Sequence, residues 1–195
     1  MIILASKSPR RRELFALLGV EYQVLVQDTE ERVNPTLSPR EAVQQISRGK
    51  AEAVLSLTEP GDLIVAADTV VVLGDRVLGK PHDPAEARAM LRALSGKTHR
   101  VMTGVTVRQG DRELLHTEIT EVTFRDLTEV EIATYVATGD PMDKAGAYGV
   151  QNEGALFVSG LKGDFFNVMG LPVCALAQML RRFGVVILGE GGTGQ

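Results

Sequence analysis

The chain has 195 residues, of which 44% are hydrophobic and 24% are charged, and its formal net charge is −4 at pH 7. This composition is typical of a water-soluble globular protein with one large domain or two closely packed lobes. No apolar run approaches the roughly 20 residues of a transmembrane helix, and the acidic net charge argues against a general nucleic-acid-binding surface. The single cysteine excludes an intramolecular disulfide and fits a reducing cytoplasm.

Histidine and cysteine are too few and too scattered for a zinc site. The chain has three histidines and one cysteine, and none of them shows a metal-ligand spacing. Any bound metal is therefore expected to be a hard ion on oxygen ligands.

The N-terminal residues have the pattern of a first strand. No basic region precedes the apolar residues Ile2 to Ala5, so a signal peptide is not expected. Ser8 and Pro9 then provide an N-cap and a proline at the first helical position, which predicts a helix that ends at Gly19. Its predicted buried stripe consists of Leu14, Leu17 and Leu18.

A second helix is predicted from Ser38 to about Leu57, with Glu41 completing a capping box. Lys50 falls within the apolar face of this helix on a helical wheel. The other residues of that face are Ala42, Ile46, Ala53 and Leu57. A lysine at such a position either extends its ammonium to solvent or serves a ligand in a cleft. The sequence leaves both alternatives open.

An apolar run from Leu63 to Ala67 leads directly into Asp68. A buried strand that ends at an acid holds a catalytic or metal-binding carboxylate rigidly. A hairpin is predicted beyond Asp68, and Lys80 follows that hairpin. This arrangement can place a phosphate-binding cation near the carboxylate.

Two more helices and a long hairpin follow. The third helix is predicted to begin at Asp83. Its predicted apolar stripe is Ala87, Met90, Leu91 and Leu94. Residues 100–124 alternate between apolar and polar around Gly110, which predicts an antiparallel hairpin. A fourth helix is predicted from a cap at Thr128 to about Gly139.

The remaining elements are shorter. Residues 140–170 are rich in glycine and are predicted to contain one short strand, Ala155 to Val158. A last helix is predicted from about Leu171 to Phe183, and a last strand from Val185 to Leu188.

The start of the first helix has the features of an anion site. Arg10, Arg11 and Arg12 occupy its first turn, directly after a tight loop that contains Ser6. Helix N-termini attract phosphate, whereas cations at that end are unfavourable unless an anion offsets them. The arginines therefore favour a bound polyanion. The alternative is a solvated basic turn that is paired with Glu13 and other surface acids.

The glycine-rich segment holds three further polar candidates, Lys144, Gln151 and Asn167. Gln151 offers one hydrogen-bond donor group and one acceptor, the pattern needed to read the edge of a pyrimidine base. The alternative is a glutamine that stabilises a loop. Tyr148 and the pair Phe165-Phe166 are interpreted as packing residues.

Taken together, these segments resemble the Maf family of nucleotide pyrophosphatases. The resemblance rests on three blocks in the family's order: Ser6-Lys7-Ser8-Pro9-Arg10-Arg11; Ala67-Asp68-Thr69-Val70-Val71 to Gly79-Lys80-Pro81; and Lys144-Ala145-Gly146-Ala147-Tyr148-Gly149-Val150-Gln151 to Asn167-Val168-Met169-Gly170-Leu171-Pro172. A Maf-like nucleotide pyrophosphatase domain is therefore expected over residues 1–188, with residues 189–195 as a flexible tail.

The resemblance implies a Maf/HAM1 (ITPase)-like α/β fold, in which an elongated mixed sheet with flanking helices forms two lobes around a nucleotide cleft. It implies a nucleotide diphosphatase that splits a nucleoside triphosphate between the α and β phosphates with a divalent cation, Mg²⁺ or Mn²⁺. The family branch that acts on dTTP and UTP carries the residue types found here at Arg10, Thr69 and Gln151. The branch that acts on 7-methyl-GTP has tryptophan, glutamine and glutamate at those positions.

The resemblance also implies a role for each site residue. Asp68 is expected to act as the general base or to orient the water, and to hold the metal together with Glu31. The residues expected to bind the triphosphate are Ser6, Arg10, Arg11, Lys50 and Lys80. Arg10, Thr69 and Gln151 are expected to set the base specificity. The resemblance further implies a cytoplasmic protein that can form a homodimer.

Two other functions stay open at this point. One is a nucleotide-binding regulator of cell division, acting in septum formation with little turnover. The other is a pyrophosphatase of the same fold that clears methylated or other non-standard nucleotides.

Overall fold

The structure is a computed structural model that describes residues 1–28 and 36–189. Its helices are α1 (Pro9–Ala16), α2 (Pro39–Ala53), α3 (Pro84–Leu94), α4 (Glu129–Ala137), α5 (Phe165–Met169) and α6 (Val173–Arg181). Its strands are β1 (Ile2–Ala5), β2 (Gln23–Val24), β3 (Leu63–Leu73), β4 (Arg76–Leu78), β5 (Thr98–Gln109), β6 (Arg112–Phe124) and β7 (Val158–Lys162). Short 3₁₀ helices cover Leu55–Leu57, Asp140–Asp143, Ala145–Ala147 and Glu153–Phe157. The predicted α/β class is confirmed.

The strands form one mixed sheet in the order β2-β1-β3-β5-β6-β7, and β4 pairs with β3. β1 is parallel to both β2 and β3, whereas β3 pairs antiparallel with β4 and β6 pairs antiparallel with β7. Only Gly110 and Asp111 separate β5 from β6, a connection that reverses the chain. The predicted mixed sheet and its long hairpin are therefore confirmed.

The chain divides into two compact units. The first unit comprises Met1–Asp68, Thr103–Glu118 and the chain from Gly170 onward, and the second comprises Thr69–Met102 and Ile119–Met169. Buried apolar side chains of β1, α2 and β3 form a core within the first unit: Ile3, Ala5, Ala51, Val54, Ile64 and Ala66. The division agrees with the expectation of two lobes, and the cleft between them stays a prediction.

The predicted helix starts are confirmed, because capping is a local property of the sequence. Ser38 and Glu41 form the capping box of α2, and Thr128 forms the corresponding box of α4 with Glu131. Asp83 accepts a hydrogen bond from the Glu86 amide at the start of α3. All four residues of the predicted α3 stripe are buried.

Three predicted helix details are wrong. Leu17 is 63% exposed, because α1 ends at Ala16 and Phe15 takes the buried position. The second helix ends at Ala53, and Leu57 lies in a separate 3₁₀ turn with its side chain exposed. The buried residues of α2 are Val43, Ser47 and Ala51, so the apolar face is rotated from the predicted one and Lys50 lies at its edge.

The predicted strands also need correction. β3 does not end before Asp68 but continues through it to Leu73. The strand predicted at Ala155 to Val158 is a 3₁₀ helix over most of that range, and β7 begins at Val158. No strand is assigned from Val185 to Gly189, the last described residue. Within this range Ile187 makes an isolated bridge. Most of the predicted flexible tail lies outside the described residues.

The helices of the described ranges are short. The longest, α2, has 15 residues. Within those ranges, no helix is both long and apolar enough to cross a membrane.

Candidate active site

The parallel pairing of β1 and β3 brings Ser6 and Asp68 to the same end of two neighbouring strands. In the register of this pair Ala5 lies opposite Ala66. Ser6 is the next residue after β1, and Asp68 lies two residues beyond Ala66 on β3. Carboxyl ends of parallel strands meet at one edge of a sheet, which is the usual place for a ligand in α/β folds.

Asp68 forms an ion pair with Lys50 of α2. The Lys50 Nζ donates to Asp68 Oδ1 over 2.6 Å. The two side chains are 23% and 13% exposed, so the pair is largely shielded from solvent. The Lys50 ammonium is thus paired with a carboxylate, and its role toward a ligand stays a prediction.

The docking of α2 against β5 sets the position of Lys50. A Cβ on Gly104 would lie 2.5 Å from the carbonyl oxygen of Val43, so the backbones of α2 and β5 approach closely there. One helical turn later, the buried hydroxyls of Ser47 and Thr106 form a hydrogen bond of 2.8 Å. Four helical residues and two strand residues both advance about 6 Å, so the two contacts are in register. Lys50 follows Ser47 by three residues.

The start of α1 presents backbone amides together with basic side chains. Ser8 occupies the N-cap position, but its side chain makes no capping hydrogen bond, and the first turn holds no acidic residue. The Ser8 amide donates instead to the buried Ser6 hydroxyl at 3.2 Å. Lys7 pairs with the Asp28 carboxylate. This end of α1 therefore keeps the donors and positive charge that favour an anion.

Arg10 and Arg11 are half-buried in the same turn. The Arg11 Nε donates to the Gly170 carbonyl oxygen at 2.8 Å, so this arginine also fastens α1 to the segment before α6. That structural contact adds to the predicted phosphate-binding role of Arg11, which stays a prediction.

Three predicted site residues belong to the second unit. Thr69 follows Asp68 on β3 and is half-buried. Lys80 is exposed and lies two residues beyond the last residue of β4, whose pairing with β3 confirms the predicted hairpin. Gln151 is half-buried and lies just before the 3₁₀ helix that begins at Glu153. Their predicted contacts with substrate stay predictions.

The chemistry of the Asp68 carboxylate fits a hard divalent cation, because such ions prefer oxygen ligands. Within residues 1–28 and 36–189 no group of three or more His, Cys, Asp or Glu side chains could hold an ion. Mg²⁺ is usually bound by one or two carboxylates together with substrate phosphates. Asp68 can supply one of these ligands. Glu31, the other predicted ligand, lies outside the described residues.

The structure also contains a polar cluster whose members are not all connected by any one pattern in the sequence. Tyr135 and Lys144 both donate hydrogen bonds to Asp140 within the second unit. The Lys144 ammonium is nearly buried in this cluster. The spacing of Asp140 and Lys144 by four residues was a local signal for their ion pair, but the contribution of Tyr135 depends on tertiary packing.

Known proteins are similar to this chain over nearly its whole length. The family described as Maf-like protein matches residues 1–183. A dTTP/UTP pyrophosphatase from Anaeromyxobacter dehalogenans is 51% identical over 187 residues, which cover 94% of this chain and 94% of that protein. A dTTP/UTP pyrophosphatase from Bacillus pumilus is 47% identical over 184 residues, which cover 94% of this chain and 97% of that protein.

Among solved structures, a HAM1 protein from Coxiella burnetii is similar with a TM-score of 0.49 and 17% identity. The similarity covers 92% of this chain and 97% of that protein. The assignment rests on the sequence relatives and not on this structural likeness. Because the family match and the relatives extend over almost the entire sequence, the chain belongs to the Maf family.

Proposed function

We propose that this chain hydrolyses dTTP and UTP between the α and β phosphates and releases the monophosphate and pyrophosphate. The observation that carries the proposal is the Lys50–Asp68 pair, which lies at the end of the β1–β3 ladder, where the loop to the basic start of α1 also begins. A shielded carboxylate beside cations and helix amides is suited to a reaction of a polyphosphate with water. The similar proteins are named dTTP/UTP pyrophosphatases, which supports both the two bases and the release of pyrophosphate.

Asp68 acts on the attacking water in this proposal. Its carboxylate accepts the proton of the water, or orients the water, as it attacks the α-phosphorus. The Lys50 ammonium holds the carboxylate in place from one side and offsets charge that develops on the phosphate oxygens. The Ser6 hydroxyl, Arg10 and Arg11 bind the triphosphate at the start of α1.

The remaining assignments come from the family resemblance. Lys80 binds phosphate, while Arg10, Thr69 and Gln151 select thymine or uracil. Asp68 and Glu31 would hold a Mg²⁺ or Mn²⁺ ion, which would neutralise phosphate charge. The same resemblance supports a cytoplasmic location and a homodimer.

Pyrophosphate release from a panel of nucleoside triphosphates tests the proposal. We expect the wild type with Mg²⁺ or Mn²⁺ to turn over dTTP and UTP well above GTP, ATP and methylated purines. Asp68→Asn should lower kcat by roughly 10²- to 10⁴-fold, the usual contribution of a general base. Binding of a non-hydrolysable dTTP analogue should change little. Asp75→Asn, in the exposed turn after β3, is the matched control and should keep full turnover.

The other outcomes would replace the proposal with a definite alternative. Near-wild-type kcat in Asp68→Asn would remove Asp68 from the reaction. Tight binding of dTTP without turnover in the wild type would indicate a nucleotide-binding regulator. Preferred turnover of a methylated or deaminated purine would indicate an enzyme that clears non-standard nucleotides.

A further inference from the structure

The segment between α4 and β7 is organised around the ammonium of Lys144. This side chain is 8% exposed. Its Nζ lies 2.6 Å from the Asp140 carbonyl oxygen, 3.0 Å from Asp140 Oδ1 and 2.8 Å from Asp143 Oδ1. A lysine ammonium has three N–H donors, and these three acceptors use all of them. Lys144 therefore serves the segment itself rather than a phosphate.

Asp140 is the centre of this cluster. Its Oδ2 accepts a 2.6 Å hydrogen bond from the Tyr135 hydroxyl, and its Oδ1 accepts a 2.8 Å hydrogen bond from the Asn152 amide. Burial alone would raise the pKa of the Asp140 carboxyl, but the hydrogen bonds from Tyr135, Lys144 and Asn152 outweigh burial and hold the pKa below its ordinary value. The carboxylate is thus ionised at neutral pH and accepts hydrogen bonds from three side chains.

Tyr135 connects the Asp140 carboxylate to the backbone of Gly149, two residues before Gln151. Its hydroxyl donates to Asp140 and accepts a 3.1 Å hydrogen bond from the Gly149 amide. Burial raises the pKa of the Tyr135 hydroxyl, and so does its hydrogen bond to Asp140, which keeps the donor proton in place. Asn152 fastens the other side. Gln151 therefore lies between Gly149, whose amide bonds Tyr135, and Asn152, whose side chain bonds Asp140.

Close backbone packing restricts the same stretch. A Cβ on Gly149 would lie 2.6 Å from Lys144 Cε, and one on Gly154 would lie 2.5 Å from the Gly149 carbonyl oxygen and 3.0 Å from the Tyr135 hydroxyl. Glycines allow these approaches, and the chain around Gln151 has little room to shift.

We infer that Tyr135 and Asp140 are positioning residues that act through Gln151 on the choice of base, an inference that rests on the proposed function. Thymine and uracil present a carbonyl acceptor where cytosine presents an amino donor. A glutamine amide carries both kinds of group, so it distinguishes these bases only when its orientation is fixed. The cluster holds the Gly149 backbone before Gln151 and the Asn152 side chain after it, and thereby supports a single orientation.

The test is a double-mutant cycle of Tyr135→Phe and Gln151→Ala, read as the ratio of kcat/KM for dTTP to that for dCTP. Tyr135→Phe should lower this ratio about fivefold, which corresponds to about 1 kcal/mol. In the Gln151→Ala background the same change should leave the ratio unaltered, because two residues that act through one contact are not additive. The dTTP KM should change more than kcat.

Two further variants separate positioning from general stability. Asn152→Ala removes an exposed side chain from the cluster, and we expect the same direction of change in the ratio. Tyr148→Phe removes the hydroxyl of another buried tyrosine. That hydroxyl forms a hydrogen bond with His99 and is not one of the donors to Asp140. This variant should lower the thermal midpoint without changing the ratio.

Each remaining outcome overturns the inference. If Gln151→Ala lowers the ratio but Tyr135→Phe does not, the cluster has no role in base choice and the proposed function stands. If Tyr135→Phe lowers the ratio equally in both backgrounds, it does not act through Gln151. If Gln151→Ala leaves the ratio unchanged, the base-reading role fails as well. A wild type that hydrolyses neither dTTP nor UTP would overturn the proposed function and this inference together.

Discussion

His99 is a buried histidine whose environment favours the neutral ring. Its side chain is 1% exposed, and its Nε2 lies 2.7 Å from the Tyr148 hydroxyl. Nδ1 has no hydrogen-bond partner among the described residues, so a second ring proton would find no acceptor. The Phe124 ring packs edge-on against it. Burial accordingly lowers the pKa of His99 to about 4.

This pKa predicts a loss of stability in mild acid. Well above pH 6.5 the ring is neutral in both the folded and the unfolded chain. Between pH 6.5 and 4 the unfolded chain binds a proton that the folded chain does not, so the free energy of unfolding falls as the pH falls. We expect His99 to contribute a loss of ~2 kcal/mol between pH 7.5 and 5. Urea unfolding at both pH values measures it.

The control for this prediction is a second histidine. His99→Gln, which can still bond the Tyr148 hydroxyl, should show a flatter dependence of unfolding free energy on pH. His82→Gln changes an exposed ring and should keep the wild-type slope. Equal slopes for all three proteins would mean that the ring of His99 takes up its proton in the folded state.

At the scale of elements, the contact between α2 and β5 governs the ion pair of the site. Gly104→Ala would place a methyl group 2.5 Å from the Val43 carbonyl oxygen, and α2 must then move away from the sheet. Overpacking of this kind destabilises by about 1–3 kcal/mol. Because Lys50 moves with α2, we also expect kcat for dTTP to fall at least about tenfold, since small displacements of catalytic groups reduce rates strongly.

A matched glycine outside this contact serves as the control for Gly104. A Cβ on Gly61 would meet nothing within 4 Å, so Gly61→Ala should leave kcat unchanged. Thermal melting gives the stability of both variants, and kcat is measured well below both midpoints. A folded Gly104→Ala protein with wild-type kcat would show that the spacing of α2 and β5 does not control Lys50.

Elements with strong local signals could be predicted from the sequence, and those fixed by tertiary packing could not. The capping boxes and the α3 stripe are read from neighbouring residues, which is why they are confirmed. The continuation of β3 through Asp68 depends on pairing with β4 and with neighbouring strands. The rotated face of α2 depends on the close approach of Val43 to Gly104. A helical wheel does not represent such a tertiary contact.

At the scale of the whole molecule, the proposed function requires a divalent metal that binds together with the substrate. The described ranges contain no group of three or more acidic, histidine or cysteine side chains that could hold an ion. We therefore expect EDTA to abolish pyrophosphate release and to leave the thermal midpoint of the nucleotide-free protein unchanged. Melting curves with and without EDTA measure this. A midpoint that falls with EDTA would indicate a resident structural metal instead.

The sequence indicated a site for a polyanion, but the physical patterns alone did not connect its parts. Helix-end electrostatics pointed to Arg10 and Arg11, and the apolar run pointed to Asp68, each as a separate hypothesis. Their relation came from the resemblance to a family. The contact of Lys50 with Asp68 could not be predicted from the sequence, because two residues 18 positions apart carry no common local pattern. It is seen only in the structure.

The position of Asp68 within β3 limits the places at which a codon can be inserted without loss of activity. Asp68 is the middle residue of this eleven-residue strand, and neighbouring side chains on a strand point to opposite faces. One codon inserted between Leu63 and Ala67 would turn Asp68 away from Lys50, whereas a codon added at the exposed Gly74–Asp75 turn would lengthen only a loop. A library of single-codon insertions should therefore yield active clones from the turn and none from the first half of the strand.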